Sequence, residues 1–200
     1  MSKIKGTAII AKLLKETGNT TLFGYPGGAI MPFYDEIYQD PDIKNILVRH
    51  EQSAGHAADG YARVSGKLGL CVTTSGPGAT NLITALANAY YDSSPILAFS
   101  GQVSTKLIGN DAFQEADVVG STVAVTKQNY QVKDVNNIGR IFKEAIYIAT
   151  TGRPGPVFID LPKDVQYAEC NLENPIPEHI DIIGYNPRVF SKGAKLQVKR

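Results

Sequence analysis

The chain has 200 residues, 43% of them hydrophobic, and a formal net charge of +1, which fits one soluble globular domain with an ample core and a tail. Its two cysteines, Cys71 in an apolar run and Cys170 in a polar one, imply no disulfide framework and suit a reducing compartment; His50, His56 and His179 lack zinc-ligand spacing, so no metal site is expected. No apolar run approaches a membrane span, and Met1 leads into a helical pattern without a signal-like segment, so the expected location is the cytoplasm, with no membrane partner.

Ile9, Ile10, Leu13 and Leu14 recur at helical spacing before Gly18-Asn19, a helix stop, and Thr21 to Tyr25 then reads as a short buried strand. A second helix is predicted from about Ala29 to Tyr38, with Pro32 tolerated near its first turn, and Asn45 to Val48 is the next strand. After Glu51 comes a helix rich in Ala and Gly, through Ala57, Ala58 and Ala62, whose small residues suit close packing on a sheet or a partner helix. Leu68 to Thr74 is a strand, Thr80 to Tyr90 a helix and Pro95 to Ser100 another strand. Residues 101–124 carry no clear pattern. A strand near Tyr130 to Val132 precedes a helix from Ile138 to Thr150, with Ile141, Phe142, Ala145, Ile146 and Ile148 on a broad apolar face, and Pro156 to Leu161 is a final core strand.

From about Glu169, Pro175, Pro177 and Pro187 fall among polar residues and helical periodicity is lost, which reads as a linker. Arg188, Lys192, Lys195, Lys199 and Arg200 then bring five positive charges and no acid, leaving 15 basic against 19 acidic residues before them. Such a tail can mean a nucleic-acid or membrane contact. Aromatics are sparse and the run is short, so a linker or the start of another helix is preferred, and no nucleic-acid partner is expected.

Short apolar strands alternating with helices predict an α/β fold, three-layer α/β/α, around a mostly parallel sheet. Ligands of such sheets bind beyond the carboxyl ends of the strands, where Tyr25, Glu51, Thr74 and Gly101 all fall. In Arg49-His50-Glu51-Gln52 one carboxylate ends an apolar run just before a small-residue helix, where it can be held half-buried and exchange a proton. A plain polar helix start, with Glu at the positive end of the dipole, is the alternative. Tyr25-Pro26-Gly27-Gly28 reads as a tight turn needing positive φ, as a surface on which a planar ligand lies against backbone, or as both. Ser75-Gly76-Pro77-Gly78-Ala79-Thr80-Asn81 resembles a phosphate loop, but its spacing is G-x-G-x-x-N and no acid closes the next strand to take a ribose. Gly152-Arg153-Pro154-Gly155-Pro156 is an ordinary connection by composition, though Arg153 is a fixed charge able to bind phosphate. These turns and the Glu51 segment are expected to form one ligand site. Asp111 to Glu115 shows no mechanical signature.

Five segments carry a family resemblance: FGYPGGAIMPFYDEI, RHEQSAGHAADGYARVSGKLGLCVTTSGPGATN, GQV, IGNDAFQE and TGRPGPVFIDLPKDV. Together they resemble the amino-terminal, pyrimidine-binding domain of the acetolactate (acetohydroxyacid) synthase catalytic subunit, within the thiamine-diphosphate decarboxylase superfamily. The resemblance covers about Ile4 to Val165 and implies a pyrimidine-binding domain over residues 1–168 and, over 169–200, a linker towards a flavin-binding middle domain. It implies that Glu51 is catalytic, hydrogen-bonding N1′ of the cofactor aminopyrimidine and exchanging a proton there. It also implies that Tyr25, Pro26, Gly27, Thr74, Pro77 and Asn81 line the aminopyrimidine end, that Gly28, Phe113, Gln114 and Lys163 line the substrate channel, and that Arg153 contacts FAD.

The implied cofactors are thiamine diphosphate, Mg2+ and FAD, the last without net redox chemistry. The implied reaction joins two pyruvate molecules, or pyruvate and 2-oxobutyrate, with loss of CO2. The implied assembly is a homodimer or higher oligomer whose second subunit completes the site, with a regulatory small subunit as a further partner. No Gly-Asp-Gly occurs here, so the diphosphate and magnesium ligands are expected in a carboxyl-terminal domain outside this chain. Ser104 stands where many members carry proline in a loop that contacts herbicides. Alternatives within reach of the same motifs are another thiamine-diphosphate decarboxylase, carboligase or oxidase, and a non-catalytic pyrimidine-domain subunit of a two-chain enzyme. Gln114 and Lys163 favour the synthase.

Overall fold

The structure, a computed structural model, describes residues 3–38 and 40–187. In chain order the elements are β1 (Ile4–Lys5), α1 (Gly6–Glu16), β2 (Thr21–Gly24), α2 (Met31–Tyr38), β3 (Lys44–Leu47), α3 (Glu51–Ser65), β4 (Gly69–Thr73), α4 (Pro77–Thr80), α5 (Ile83–Asp92), β5 (Ile96–Gln102), α6 (Val118–Thr122), β6 (Gln128–Gln131), α7 (Ile138–Thr150), β7 (Val157–Pro162), α8 (Lys163–Tyr167) and β8 (Glu169–Cys170). Short 3-10 turns follow α6 and precede α7. Six strands form one wholly parallel sheet in the order β3-β2-β4-β5-β7-β6, and β1 pairs antiparallel with β8 beside it.

Alternation along the central strands divides the interior in two. Leu70 and Val72, Leu97 and Phe99, and Val157 and Ile159 pack with Ile9, Ile10, Leu13 and Leu14 of α1, Phe33 of α2 and Phe142 of α7. Cys71, Ile96, Ala98 and Phe158 face the other way, onto Ala54 and Ala58 of α3 and Leu86 and Ala89 of α5. The three-layer prediction therefore holds, and period-2 side-chain alternation in doubly buried strands is its cause. The first layer is cemented by aromatic and branched side chains, Phe99 meeting Phe33 and Phe142 edge-on at 5.1 and 5.4 Å. The second is thin because its helices carry alanine and glycine. Gly55 lies against Ala85 of α5 and Gly69 against the Ala58 carbonyl, so the small residues of α3 serve the sheet and a neighbouring helix at once.

Three departures from the sequence reading have local causes. The helix expected from Thr80 starts earlier, at Pro77, and is interrupted at Asn81-Leu82, where both residues keep near-helical angles. β5 runs two residues past Ser100, because Gly101 and Gln102 continue their pairing with Leu161 and Pro162 of β7. Residues 169–187 carry only the two-residue β8 as regular structure, yet they lie along α7: Lys143 donates to the Pro177 and Glu178 carbonyls at 2.5 and 2.7 Å, and Tyr185 packs edge-on against Tyr147 at 5.9 Å. The basic run after Pro187 lies outside the described residues.

Candidate cofactor site

β2 is followed by a helix on one face of the sheet and its neighbour β4 by helices on the other, so the chain diverges between their carboxyl ends and leaves a crevice there. Tyr25-Pro26-Gly27-Gly28 leaves β2 on one side of it and Thr74-Ser75-Gly76-Pro77 leaves β4 on the other. Neither Gly27 nor Gly28 has the left-handed φ that the turn reading demanded. Gly27 is needed for another reason: a Cβ there would sit 2.5 Å from Thr74 Cβ, so the two loops touch backbone to side chain. Thr74 Oγ1 accepts from the Ala29 amide at 3.3 Å, closing the crevice floor. Gly28 is open on its free side and exposed.

Glu51 is the first residue of α3, with His50 as N-cap accepting from the Gln52 amide through Nδ1 at 3.2 Å. Its carboxylate is half-buried, as expected. Asn81 Nδ2 donates to Glu51 Oε2 at 2.9 Å, and Oε1 faces Gly78, where a Cβ would come within 3.3 Å. One carboxylate oxygen is thus fixed by a neutral amide and the other lies over a glycine that gives it room. The helix-start reading holds, since Glu51 opens α3 behind the His50 cap.

Gly76, at φ +55, accepts no side chain, because a Cβ would lie 2.3 Å from the Gln114 carbonyl oxygen. The 103–117 loop therefore rests on the Gly76 turn, bringing Phe113 and Gln114 to the same end of the sheet as Glu51; Phe113 is 87% exposed. Lys163 begins α8 at the carboxyl end of β7 and is half-buried, on that end too. Tyr25 and Pro77 are exposed at the crevice mouth.

The expected single site does not include the third turn. Arg153 Nε donates to Ser93 Oγ at 2.8 Å and Nη2 to the Tyr90 and Tyr91 carbonyls at 3.1 Å. These groups end α5 just before β5 begins, so Gly152 to Pro156 lies at the amino end of the sheet, opposite Glu51. A guanidinium drawn to the carbonyls of the last turn of α5 is the cause. Nη1 makes no hydrogen bond among the described residues, and a cavity of about 300 Å³ opens there between Tyr90, Thr126, Lys127, Arg153 and Pro154.

Four polar residues around the site went unrecognised in the sequence. Glu115 accepts from the Gly109 and Ala112 amides, and Asp164 from Thr105. Asp160 is wholly buried in β7, where Oδ2 accepts from Gln102 at 3.2 Å and Gln131 at 3.0 Å. Burial pushes its carboxyl up to about 6. Gln102 also donates to the Ala116 carbonyl at 3.2 Å. Only Asp160 left a trace, as the single charge inside Val157–Pro162.

Residues 4–121 match the family described as thiamine pyrophosphate enzyme, N-terminal TPP binding domain, and the chain belongs to that family. More particularly, it is 57% identical over 198 residues to the probable acetolactate synthase large subunit of Methanocaldococcus jannaschii, covering 98% of this chain and 33% of that protein. It is 55% identical over 180 residues to the acetolactate synthase large subunit of Lactococcus lactis subsp. lactis, covering 87% and 31%. With that of Corynebacterium glutamicum identity is 51% over 185 residues, covering 92% and 29%. The chain spans about a third of the length of the curated relatives it matches.

Proposed function

We propose that this chain is the amino-terminal part of an acetolactate synthase large subunit, supplying the pyrimidine half of a thiamine diphosphate site that condenses pyruvate with a second 2-oxoacid. The observation that carries the reading is the Glu51 carboxylate, held by Asn81 beside Gly78 in the β2–β4 crevice. The names of its relatives support the synthase over other thiamine enzymes. Tyr25, Pro26, Gly27, Thr74, Pro77 and Asn81 would hold the aminopyrimidine. When bound, thiamine diphosphate supplies the electron sink that lets a 2-oxoacid lose CO2. Glu51 holds and returns the proton at the pyrimidine N1′, and Oε1 is the oxygen free to do so. Phe113, Gln114, Gly28 and Lys163 orient the substrate at the crevice mouth, Lys163 offering a positive charge to its carboxylate.

In this reading magnesium would be held by a further domain of the full-length protein. A flavin would meet this chain at Arg153, whose free Nη1 suits a phosphate oxygen. A dimer would use the outer face of α3 and α5, where Val64 and Tyr91 are 91% and 74% exposed. A regulatory small subunit and a cytoplasmic location belong to the same proposal; among the described residues no helix is long and apolar enough to cross a membrane. The test is acetolactate formation from pyruvate with thiamine diphosphate, magnesium and FAD. The full-length protein is expected to turn over and the 200-residue chain alone to give no product above blank. An inactive full-length protein, or robust turnover by the chain alone, contradicts the reading.

A further inference from the structure

The 103–117 loop follows β5 at the site end of the sheet. Three residues within a short stretch, Gly109 (φ +84), Asp111 (φ +52) and Gln114 (φ +58), sit in the left-handed region, two of them with side chains that disfavour it. A loop in that shape must be over-determined by its surroundings. Its ends are anchored: Asp164 accepts from the Thr105 amide at 3.0 Å and from its hydroxyl at 2.6 Å, and Gln102 donates to the Ala116 carbonyl at 3.2 Å. In its middle Asn110 Nδ2 donates to the Lys106 carbonyl at 3.3 Å, and one carboxylate ties two amides. Glu115 Oε1 accepts from the Gly109 amide, Oε2 from the Ala112 amide at 2.9 Å, and the Glu115 amide donates back to the Ala112 carbonyl at 2.9 Å. Between the tied residues Ala112 and Glu115 lie only Phe113 and Gln114.

We infer that Glu115 is a positioning residue, whose carboxylate folds residues 109–112 back on themselves so that Phe113 and Gln114 are presented, preformed, over the Gly76 turn. The inference rests on the proposed function, in which those two residues line the substrate channel. Phe113 buries almost none of its ring, so it contributes nothing to the core that would account for a fixed loop. The Gln114 carbonyl lies where any side chain on Gly76 would collide, so a shift of this loop also disturbs the turn leading to Gly78 and Glu51. Hydrogen bonds from the Gly109 and Ala112 amides hold the Glu115 carboxyl below its ordinary value, in keeping with a working carboxylate clasp.

The test compares wild type, Glu115→Gln and Glu115→Ala in the full-length protein, by hydrogen exchange on peptides spanning residues 107–116 and by steady-state kinetics with pyruvate. Removing the clasp lowers the population of the competent loop, and an apparent affinity falls by that same fraction. Glu115→Ala is therefore expected to speed exchange in that segment and to raise KM by a similar factor, on the order of tenfold, with kcat changed less and the unfolding midpoint unmoved. Glu115→Gln keeps one acceptor oxygen and the shape, so it is expected to fall between. Exchange and KM both unchanged in Glu115→Ala, or a KM change without faster exchange, would overturn the inference. If wild type makes no acetolactate, the functional reading fails separately, and the exchange comparison still decides whether Glu115 sets the loop.

Discussion

The two ends of the parallel sheet are built from the same materials and do different work. At both, glycine- and proline-rich turns join strands to helices, and at both a charged residue stands in the turn or just after it. At the amino end Arg153 commits Nε and Nη2 to Ser93 and the last carbonyls of α5, and Gly152, at φ +63, is roomy: a Cβ there would meet nothing closer than 3.5 Å. At the carboxyl end three glycines are contact points: Gly27 on Thr74, Gly101 on Ala29, Gly76 on Gln114. In their midst Glu51 keeps Oε1 free of any hydrogen bond among the described residues, while Oε2 accepts from Asn81. Turn composition marks where a chain reverses; only tertiary contact shows which reversals have been compressed into a site.

Substitutions at the two ends break or sharpen that contrast. The largest effect belongs to Glu51→Gln in the full-length protein: shape and the bond from Asn81 survive, proton exchange does not, and kcat is expected to fall by about 10² to 10⁴, the range for lost acid–base catalysis, with the fold intact by circular dichroism. Next come the glycines. Gly101→Ala drives a Cβ to 2.4 Å from the Ala29 backbone, and overpacking of this kind costs about 1–3 kcal/mol. Gly152→Ala meets only the left-handed penalty, roughly 1 kcal/mol. Denaturant midpoints of the two variants compare the ends directly, and equal losses would erase the distinction.

Asp160→Asn tests the polar support beneath the 103–117 loop. Burial raises the folded carboxyl to about 6, against about 3.9 in an unfolded chain. The folded state therefore holds that proton more tightly, and wild-type stability falls as pH rises from about 4 through about 6. Asn keeps the oxygen that Gln102 and Gln131 donate to and removes the titration. The variant is expected to be more stable than wild type at pH 7, by on the order of 2 kcal/mol, and to lose that advantage at pH 4. Denaturation at the two pH values checks it. The smallest effect is that of Arg153→Ala, an exposed residue, expected to change stability by no more than about 0.5 kcal/mol, to leave Glu51 chemistry untouched and to weaken flavin retention, read from the absorbance of the purified full-length protein.

Layer order and sheet class were legible because the central strands are short and apolar on both faces, and α7 was read from Ile138 to Thr150 because its apolar positions recur at helical spacing. Glu51 was legible for a comparable reason: a lone carboxylate shortly after the apolar run Ile46-Leu47-Val48 marks a strand end. What sequence could not carry was distance. Nothing local distinguishes Gly27, pressed on Thr74, from Gly28, which touches nothing, or shows that Arg153 belongs to the far end of the sheet. Nor could the pattern show Glu115 closing on amides six and three residues before it, since its bonds follow from loop shape rather than periodicity.

The central claim is that Glu51 moves a proton at the cofactor pyrimidine, and its most direct measurement is the rate at which the C2 proton of bound thiamine diphosphate exchanges with solvent deuterium, followed by NMR in wild type and Glu51→Gln full-length protein. The account predicts exchange slower by about 10² to 10⁴ in the variant, with cofactor still bound. Exchange at the wild-type rate would contradict it and leave Glu51 as no more than the first residue of α3.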